Sequence, residues 1–231
     1  MLIAEDLLLL LIDERTGTTL LTGSRLDHAL AGAVLAELTL LGRVEVVASG
    51  ARHTTSEVVV RDAGPVGDDV LDEVLQCLSR GPGTGRLNEV LRRCGAGLAV
   101  SLQDRLAERG LLRREERRVL WVITTQRWFV AAPGRRAELL DTVEEVVLRD
   151  SLAAPREAAL VRVLGSTGQT HLVLRDAGVP ADELQRRARA ADDGAGLIPF
   201  ADSVDAICDG TSSGAGGDGG GGEDGGGGGG D

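Results

Sequence analysis

The sequence contains no lysine and no tyrosine, and aromatic residues are scarce, with two tryptophans and two phenylalanines among 231 residues. All 25 basic residues are therefore arginines. A phosphate-binding P-loop requires a lysine, and Schiff-base catalysis requires a lysine amine, so both mechanisms are excluded. Nor can any nucleophile be paired with a base from the spacing of the remaining residues. We therefore expect no catalytic site and no enzyme activity.

Cysteine and histidine are also few, and neither is clustered. Cys77, Cys94 and Cys208 are far apart along the chain, and no CxxC motif occurs. The three histidines form no HxxxH or HxE pattern, so no zinc-ligand spacing is present. We expect no metal and no cofactor, and we expect the cysteines to be buried, reduced thiols of a cytoplasmic protein.

Long apolar runs are absent as well. The longest unbroken aliphatic run, at residues 7–12, has six residues, whereas a membrane-spanning helix needs about 20. Acidic residues stand on both sides of this run, which is unlike a signal peptide. The sequence therefore predicts a chain without a membrane span, either soluble or peripheral to a membrane.

Charge and glycine are unevenly distributed along the chain. The 36 acidic residues against 25 basic ones give a formal net charge of −11, which disfavours non-specific binding of nucleic acid. Residues 210–231 contain only Gly, Ala, Ser, Thr, Asp and Glu. Because such a segment has no apolar surface to offset the entropy of ordering it, we expect a disordered acidic tail at 210–231 and one folded domain at 1–209.

Hydrophobic periodicity predicts a mainly α fold, a compact multi-helical domain with two β-hairpins. The β-branched runs at 44–47 and 57–61 predict the first hairpin. Residues 111–127 predict the second, with 113–118 at its tip and 119–125 as the returning strand. Segment 2–12 is an internal helix or strand, and further helices are expected at 26–41, 70–78, 97–109, 139–147, 155–163, 181–190 and 197–208. Strands and helices do not alternate, so a doubly wound nucleotide-binding fold is not expected.

The most distinctive segment is 105–136, which holds nine arginines against three glutamates and three of the four aromatic residues of the chain. Arginine beside tryptophan is typical of a contact with anionic lipid, since indole rings settle at headgroup depth. We predict a membrane-contacting hairpin formed by Arg113, Arg114, Arg117, Arg118, Leu120 and Trp121. Two alternatives stay open: the tryptophans belong to the core, or helix 97–109 and the hairpin form a winged helix that binds DNA.

Several segments, in the same order and at similar spacing, resemble the Golgi phosphoprotein 3 family. The most specific is Pro65-Val-Gly-Asp-Asp-Val-Leu-Asp-Glu-Val-Leu75. The others are the acidic pair Glu5-Asp6 before an aliphatic run, the helix end at 36–43, the segment 106–112, Thr124-Thr125 after an apolar strand, and Pro155 before an apolar helix. The resemblance covers residues 1–208.

This resemblance implies a mostly helical, non-enzymatic domain that binds phosphatidylinositol 4-phosphate at the cytosolic face of a membrane, with a hydrophobic hairpin that helps insertion. It also implies the cytosolic tail of a membrane protein as a partner. The family's lipid site uses one Trp and three Arg, which correspond here to Thr22, Ala31, Ala96 and Ala99, so none of the four is retained. Alanine and threonine cannot supply the charge-assisted hydrogen bonds that hold a phosphorylated headgroup.

Two consequences of this departure stay open. Either phosphoinositide selectivity is lost, or Arg25, Arg92 and Arg93 reach the same pocket from neighbouring turns. We expect a cytoplasmic, peripheral membrane protein that binds phosphoinositide or other anionic lipid headgroups, and a winged-helix DNA-binding regulator is the alternative. Nucleic acid is the less favoured partner, and the sequence leaves the oligomeric state open.

Overall fold

The computed structural model describes residues 1–49, 55–80, 84–119, 123–149 and 151–191. These residues form nine helices and three small antiparallel sheets, which confirms the mainly α, multi-helical fold. The helices are α1 Ile3–Leu11, α2 Ser24–Leu40, α3 Asp69–Ser79, α4 Leu87–Gly95, α5 Leu98–Glu108, α6 Pro133–Arg149, α7 Pro155–Ser166, α8 Thr170–Val173 and α9 Ala181–Arg189. The strands are β1 Ile12–Asp13, β2 Thr18–Thr19, β3 Val44–Ser49, β4 Thr55–Val60, β5 Thr84–Arg86, β6 Leu112–Val119 and β7 Ile123–Val130. The predicted tail at 210–231 and the predicted helix at 197–208 lie outside the described residues.

Helix α1 forms the centre of the molecule. Every residue of Ile3–Leu11 is buried, including the acidic pair Glu5 and Asp6. A helix that is apolar on all sides belongs in a core, and α1 packs against α2, α5, α6 and α7. The segment predicted as helix or strand is therefore a helix that passes directly into the short strand β1.

The first predicted hairpin is present, and a third strand extends it. β3 pairs with β4 from Val44↔Val60 to Ser49↔Thr55. β5 then adds to the free edge of β4. Sequence reasoning missed β5, because three residues of strand beside a Gly- and Pro-rich segment give no periodic signal. It also missed the following helix α4, although Leu87, Val90 and Leu91 have helical spacing.

The second predicted hairpin is present, but its predicted tip is wrong. The strands pair from Leu112↔Val130 to Val119↔Ile123, so residues 113–118 lie within β6 rather than in a turn. Four of these six residues are arginines and the other two are glutamates, a composition that is typical of loops. The pairing is set by the opposite strand, which composition does not reveal. Leu120 and Trp121 lie outside the described residues.

The cysteines also differ from the prediction. Cys77 of α3 and Cys94 of α4 form a disulfide, with their Cα atoms 5.9 Å apart, so the expectation of reduced thiols is wrong for these two. Cys208 lies outside the described residues. The pairing arises because α3 and α4 pack side by side, and a separation of 17 residues in the sequence does not predict it.

Candidate functional site

The stem of the β6–β7 hairpin, residues 113–116 and 126–129, is exposed along its β6 strand. Arg113, Arg114, Glu115 and Glu116 are all exposed. Successive residues of a strand point to opposite faces, so both faces of β6 carry exposed side chains here. The paired strand differs, because Trp128 of β7 is buried. The stem is therefore exposed on its β6 side and packed on its β7 side.

The charges of this stem compensate one another. Arg113 forms an ion pair with Glu115, and Arg114 forms one with Glu116. The same two guanidinium groups also lie over aromatic rings of β7, that of Arg113 5.6 Å from the Phe129 ring centroid and that of Arg114 5.9 Å from the Trp128 centroid. These two predicted membrane-contacting arginines are thus engaged by their own hairpin.

The far end of the hairpin has a different composition. In the register of the two strands, Arg117 is opposite Thr125 and Arg118 is opposite Thr124, so the cross-strand neighbours of both arginines are neutral. Leu120, Trp121 and Val122 connect the strands in the sequence and lie outside the described residues. The hairpin is therefore charge-compensated along its stem and basic and apolar in sequence at its end.

The base of the hairpin is anchored in the core. Trp128 is only 6% exposed, and Leu112 beside it is 3% exposed. The backbone N–H of Trp128 donates to the carbonyl oxygen of Gly17 at 2.8 Å, and Nη1 of Arg127 donates to the carbonyl oxygen of Thr16 at 2.9 Å. The interpretation of tryptophan as core is therefore correct for Trp128.

The remaining arginines of segment 105–136 do not form a basic surface. They make ion pairs with acidic residues that are remote in sequence: Arg105 with Glu5 and Asp68, Arg109 with Glu5, Arg135 with Asp6, and Arg136 with Glu14. Sequence reasoning missed these contacts because their carboxylate partners are supplied by distant segments of the chain. The local excess of positive charge in the sequence is largely neutralised by the fold.

The chain matches the Golgi phosphoprotein 3 (GPP34) family over residues 3–207. It belongs to this family. Among curated proteins, none matches the chain significantly. The four positions expected to correspond to the family's lipid ligands can therefore be located on the fold.

These four family positions surround the contact between α2 and the α4–α5 junction. Asp27 of α2 accepts hydrogen bonds from the backbone N–H of Ala99 at 3.0 Å and of Gly97 at 3.4 Å. Ala31, 2% exposed, packs against Gly95, where an added Cβ would lie 2.9 Å from the Ala31 Cβ. The two helices thus meet directly at Ala31 and Gly95. Thr22 precedes α2 and is exposed.

The three candidate headgroup ligands, Arg25, Arg92 and Arg93, lie on different sides of these helices. All three are exposed, and within the described part of the chain none has a carboxylate partner. Arg92 shares a flank of α4 with Gly95, three residues on, and this flank faces α2. Arg93 lies on the other flank, in a cleft toward α3. Arg25 is two residues from Asp27, a spacing that turns it away from the α4 contact.

The structure gives little support to the alternative of a DNA-binding winged helix. The helix order resembles a winged helix, but β5 pairs with β4 and not with the β6–β7 hairpin. The predicted recognition helix α5 exposes Asp104 and Glu108, while its Arg105 and Arg109 are bound to Glu5. An acidic exposed face is repelled by phosphates rather than attracted to them.

Two further features bear on the site. Among the helices of the described residues, none is both long and apolar enough to cross a membrane. Within the same ranges, no group of three or more His, Cys, Asp or Glu side chains is arranged to hold a metal ion.

Proposed function

We propose that this protein is a non-enzymatic, peripheral membrane protein that binds anionic lipid headgroups through the far end of the β6–β7 hairpin. The observation that carries the proposal is that strand β6 is exposed at residues 113–116, while buried Trp128 holds the base of the hairpin in the core. This arrangement is suited to presenting the far end of the hairpin to a partner. Membership of the Golgi phosphoprotein 3 family supports a membrane as that partner.

The sequence of the hairpin end fits a membrane surface. Arg117 and Arg118 precede the apolar run Val119-Leu-Trp-Val-Ile123. Each basic residue close to an anionic leaflet contributes about 1 kcal/mol, and tryptophan is favoured at headgroup depth. Two cations and one apolar anchor give a weak, reversible and salt-sensitive attachment.

We also propose that this attachment does not select phosphoinositides. Thr22, Ala31, Ala96 and Ala99 supply no cation, and Ala31 is buried against Gly95. General attraction to anionic lipid needs no such pocket, because it depends on charge and an apolar anchor alone.

The test is co-sedimentation with liposomes of neutral lipid, of simple anionic lipid, and of anionic lipid containing phosphatidylinositol 4-phosphate, each at low and high salt. We expect equal binding to both anionic sets and loss of binding at high salt. A clear preference for phosphatidylinositol 4-phosphate would contradict the lack of selectivity and would lead to substitution of Arg25, Arg92 and Arg93. Binding to neither anionic set would overturn the membrane function, and affinity for duplex DNA would then be measured as a function of salt.

The variant Arg117→Glu/Arg118→Glu tests the hairpin itself. We expect it to lose most of its binding to anionic liposomes. The matched control is Arg186→Glu/Arg187→Glu, an adjacent pair on the exposed face of α9, which changes the net charge by the same amount and is expected to retain most of the binding. Equal binding by the two variants would show that only the net charge matters.

A further inference from the structure

A cleft of about 390 Å³ lies between α3 and the α4–α5 junction. Its α3 wall consists of Glu73, Gln76, Cys77 and Arg80, which share one face because they are three, four and seven residues apart. The opposite wall carries Arg93 and Cys94 of α4 and Ser101 of α5. The Cys77–Cys94 disulfide joins the two walls.

Two arginines, Arg80 and Arg93, line this cleft from opposite walls. Arg80 is exposed, and its Nη2 donates to Oε1 of Gln76 in the same helix at 2.7 Å. Arg93 is also exposed, and in the described ranges neither arginine is paired with a carboxylate. This contrasts with Arg105, Arg109 and Arg135, whose charges are taken up by buried acids. The cations of the cleft are therefore available to a ligand.

The ligand of such a site is an anion. We propose that the cleft binds a phosphate group between Arg80 and Arg93, and that the disulfide holds the two arginine-bearing helices at the spacing this requires. Guanidinium groups form paired, charge-assisted hydrogen bonds with phosphate oxygens. The volume lies in the range of small-molecule sites, so the cleft has room for a small organic group beside the phosphate.

Glu73 limits which phosphates the cleft accepts. It lies seven residues before Arg80 on the same face of α3, which corresponds to about 10 Å along the helix axis. The cleft therefore holds a carboxylate as well as the two arginines. A second phosphate on the ligand would be repelled by the Glu73 carboxylate, so the site favours a single phosphate.

This cleft is separate from the membrane-contacting hairpin and from the family's headgroup positions. Of Thr22, Ala31, Ala96 and Ala99, only Ala96 lines it, and Ala31 lies at the opposite flank of α4, against Gly95. The backbone N–H groups of Gly97 and Ala99 at the start of α5 already donate to Asp27. The arginines, rather than the helix terminus, therefore carry the binding, which does not depend on the proposed membrane function.

Isothermal titration of the full chain with sn-glycerol 3-phosphate and with inorganic phosphate tests the site. We expect saturable binding that is weakened tenfold or more in Arg80→Gln and in Arg93→Gln. The matched control is Arg86→Gln, which removes an exposed arginine that directly precedes α4 and does not line the cleft, and which is expected to bind like the wild type. Because all three arginines are exposed, these variants should fold normally, which circular dichroism checks.

Two further arms identify the source of the phosphate and the role of the disulfide. If dependence on Arg80 and Arg93 appears with soluble glycerol 3-phosphate, the ligand is a free phosphate compound. If it appears only with phosphatidic acid vesicles, the ligand is a lipid headgroup. The double variant Cys77→Ser/Cys94→Ser is expected to bind more weakly while it retains its helical spectrum, and unchanged binding would refute the role of the disulfide. Equal binding by wild type, Arg80→Gln and Arg93→Gln to both probes would overturn the site.

Discussion

At the scale of single residues, buried acids decide how the arginines of this protein are used. Glu5 is fully buried, accepts a hydrogen bond from the backbone N–H of Leu2 at 2.8 Å, and binds Arg105 and Arg109. Asp6 binds Arg135 and Arg156. Buried carboxylates are tolerated only when they are paired in this way. The arginines that resemble a basic patch in the sequence are therefore mostly structural.

Asp68 provides a test of one such contact. It caps α3 by accepting from the backbone N–H of Val70 at 3.1 Å, and its Oδ1 accepts from Nη1 of Arg105 at 2.9 Å. The hydrogen bond from Arg105 holds the pKa of the Asp68 carboxyl below its usual value. We expect Asp68→Asn to lower the free energy of unfolding by about 1–3 kcal/mol at neutral pH, since the amide keeps the cap but loses the charge.

The pH dependence of this effect has a definite sign. Because the folded pKa is depressed, the stabilisation is fully present above the unfolded value of about 4 and is lost as the pH falls through the lower folded value. Urea unfolding of wild type and Asp68→Asn should therefore differ at neutral pH and converge in acid. The exposed carboxylate Asp62, paired with Arg43, is the control, and Asp62→Asn should change the stability by no more than about 1 kcal/mol. A constant difference across the pH range would contradict the assignment.

At the scale of elements, the hairpin depends on a close contact at its base. Gly17, in the β1–β2 turn, has a φ of +66°, and an added Cβ would lie 2.7 Å from Cζ of Phe129 in β7. We expect Gly17→Ala to destabilise the protein by roughly 2–5 kcal/mol, because a left-handed backbone costs about 1–2 kcal/mol and overpacking costs about 1–3 kcal/mol more. Thermal unfolding measures the loss.

The matched control for this substitution is Gly110→Ala, at the end of α5. Gly110 has a φ of +70° but nothing within 4 Å of an added Cβ, so only the backbone cost of about 1–2 kcal/mol applies. Equal losses of stability in the two variants would show that Phe129 moves aside without cost and that the hairpin base is loosely packed.

Signals that lie within single helices and strands made part of the fold predictable from the sequence. Helices α2, α3, α5, α7 and α9 were predictable because their apolar spacing and caps are local signals. The acidic N-cap Asp68 of α3, for example, stands directly before the apolar positions Val70 and Leu71. Local pattern also identified both hairpins, since β-branched residues favour strands.

The rest of the fold could not be predicted, because it depends on contacts between residues that are distant in the sequence. The extent of β6, the third strand β5 and the Cys77–Cys94 disulfide each require a partner that only the fold brings near. The candidate site was likewise predictable only in part. The residues at the far end of the hairpin could be named from composition. The neutralisation of Arg105 by Glu5, about a hundred residues earlier in the chain, could not be foreseen.

At the scale of the whole molecule, the acidic balance of the chain opposes its proposed membrane attachment. Residues 210–231 carry four acidic residues and no basic one, so their removal changes the formal net charge from −11 to −7. We expect the shortened chain to bind anionic liposomes more tightly than the full chain at low salt, because less negative charge is repelled by the surface. At high salt the difference should disappear through screening. Identical affinity of the two chains at low salt would rule out any influence of the tail.

The central position of α1 has a consequence for the synthesis of the protein. The helix is completed by residue 11, yet Arg156, which binds the buried Asp6, is added to the chain much later. At about 5–20 residues per second, the interval on the ribosome is roughly 7–30 s. Although α2 and α5 are made earlier, the part of α1 that packs against α6 and α7 has no partner until late in this interval, which makes it a natural binding site for chaperones of nascent polypeptides.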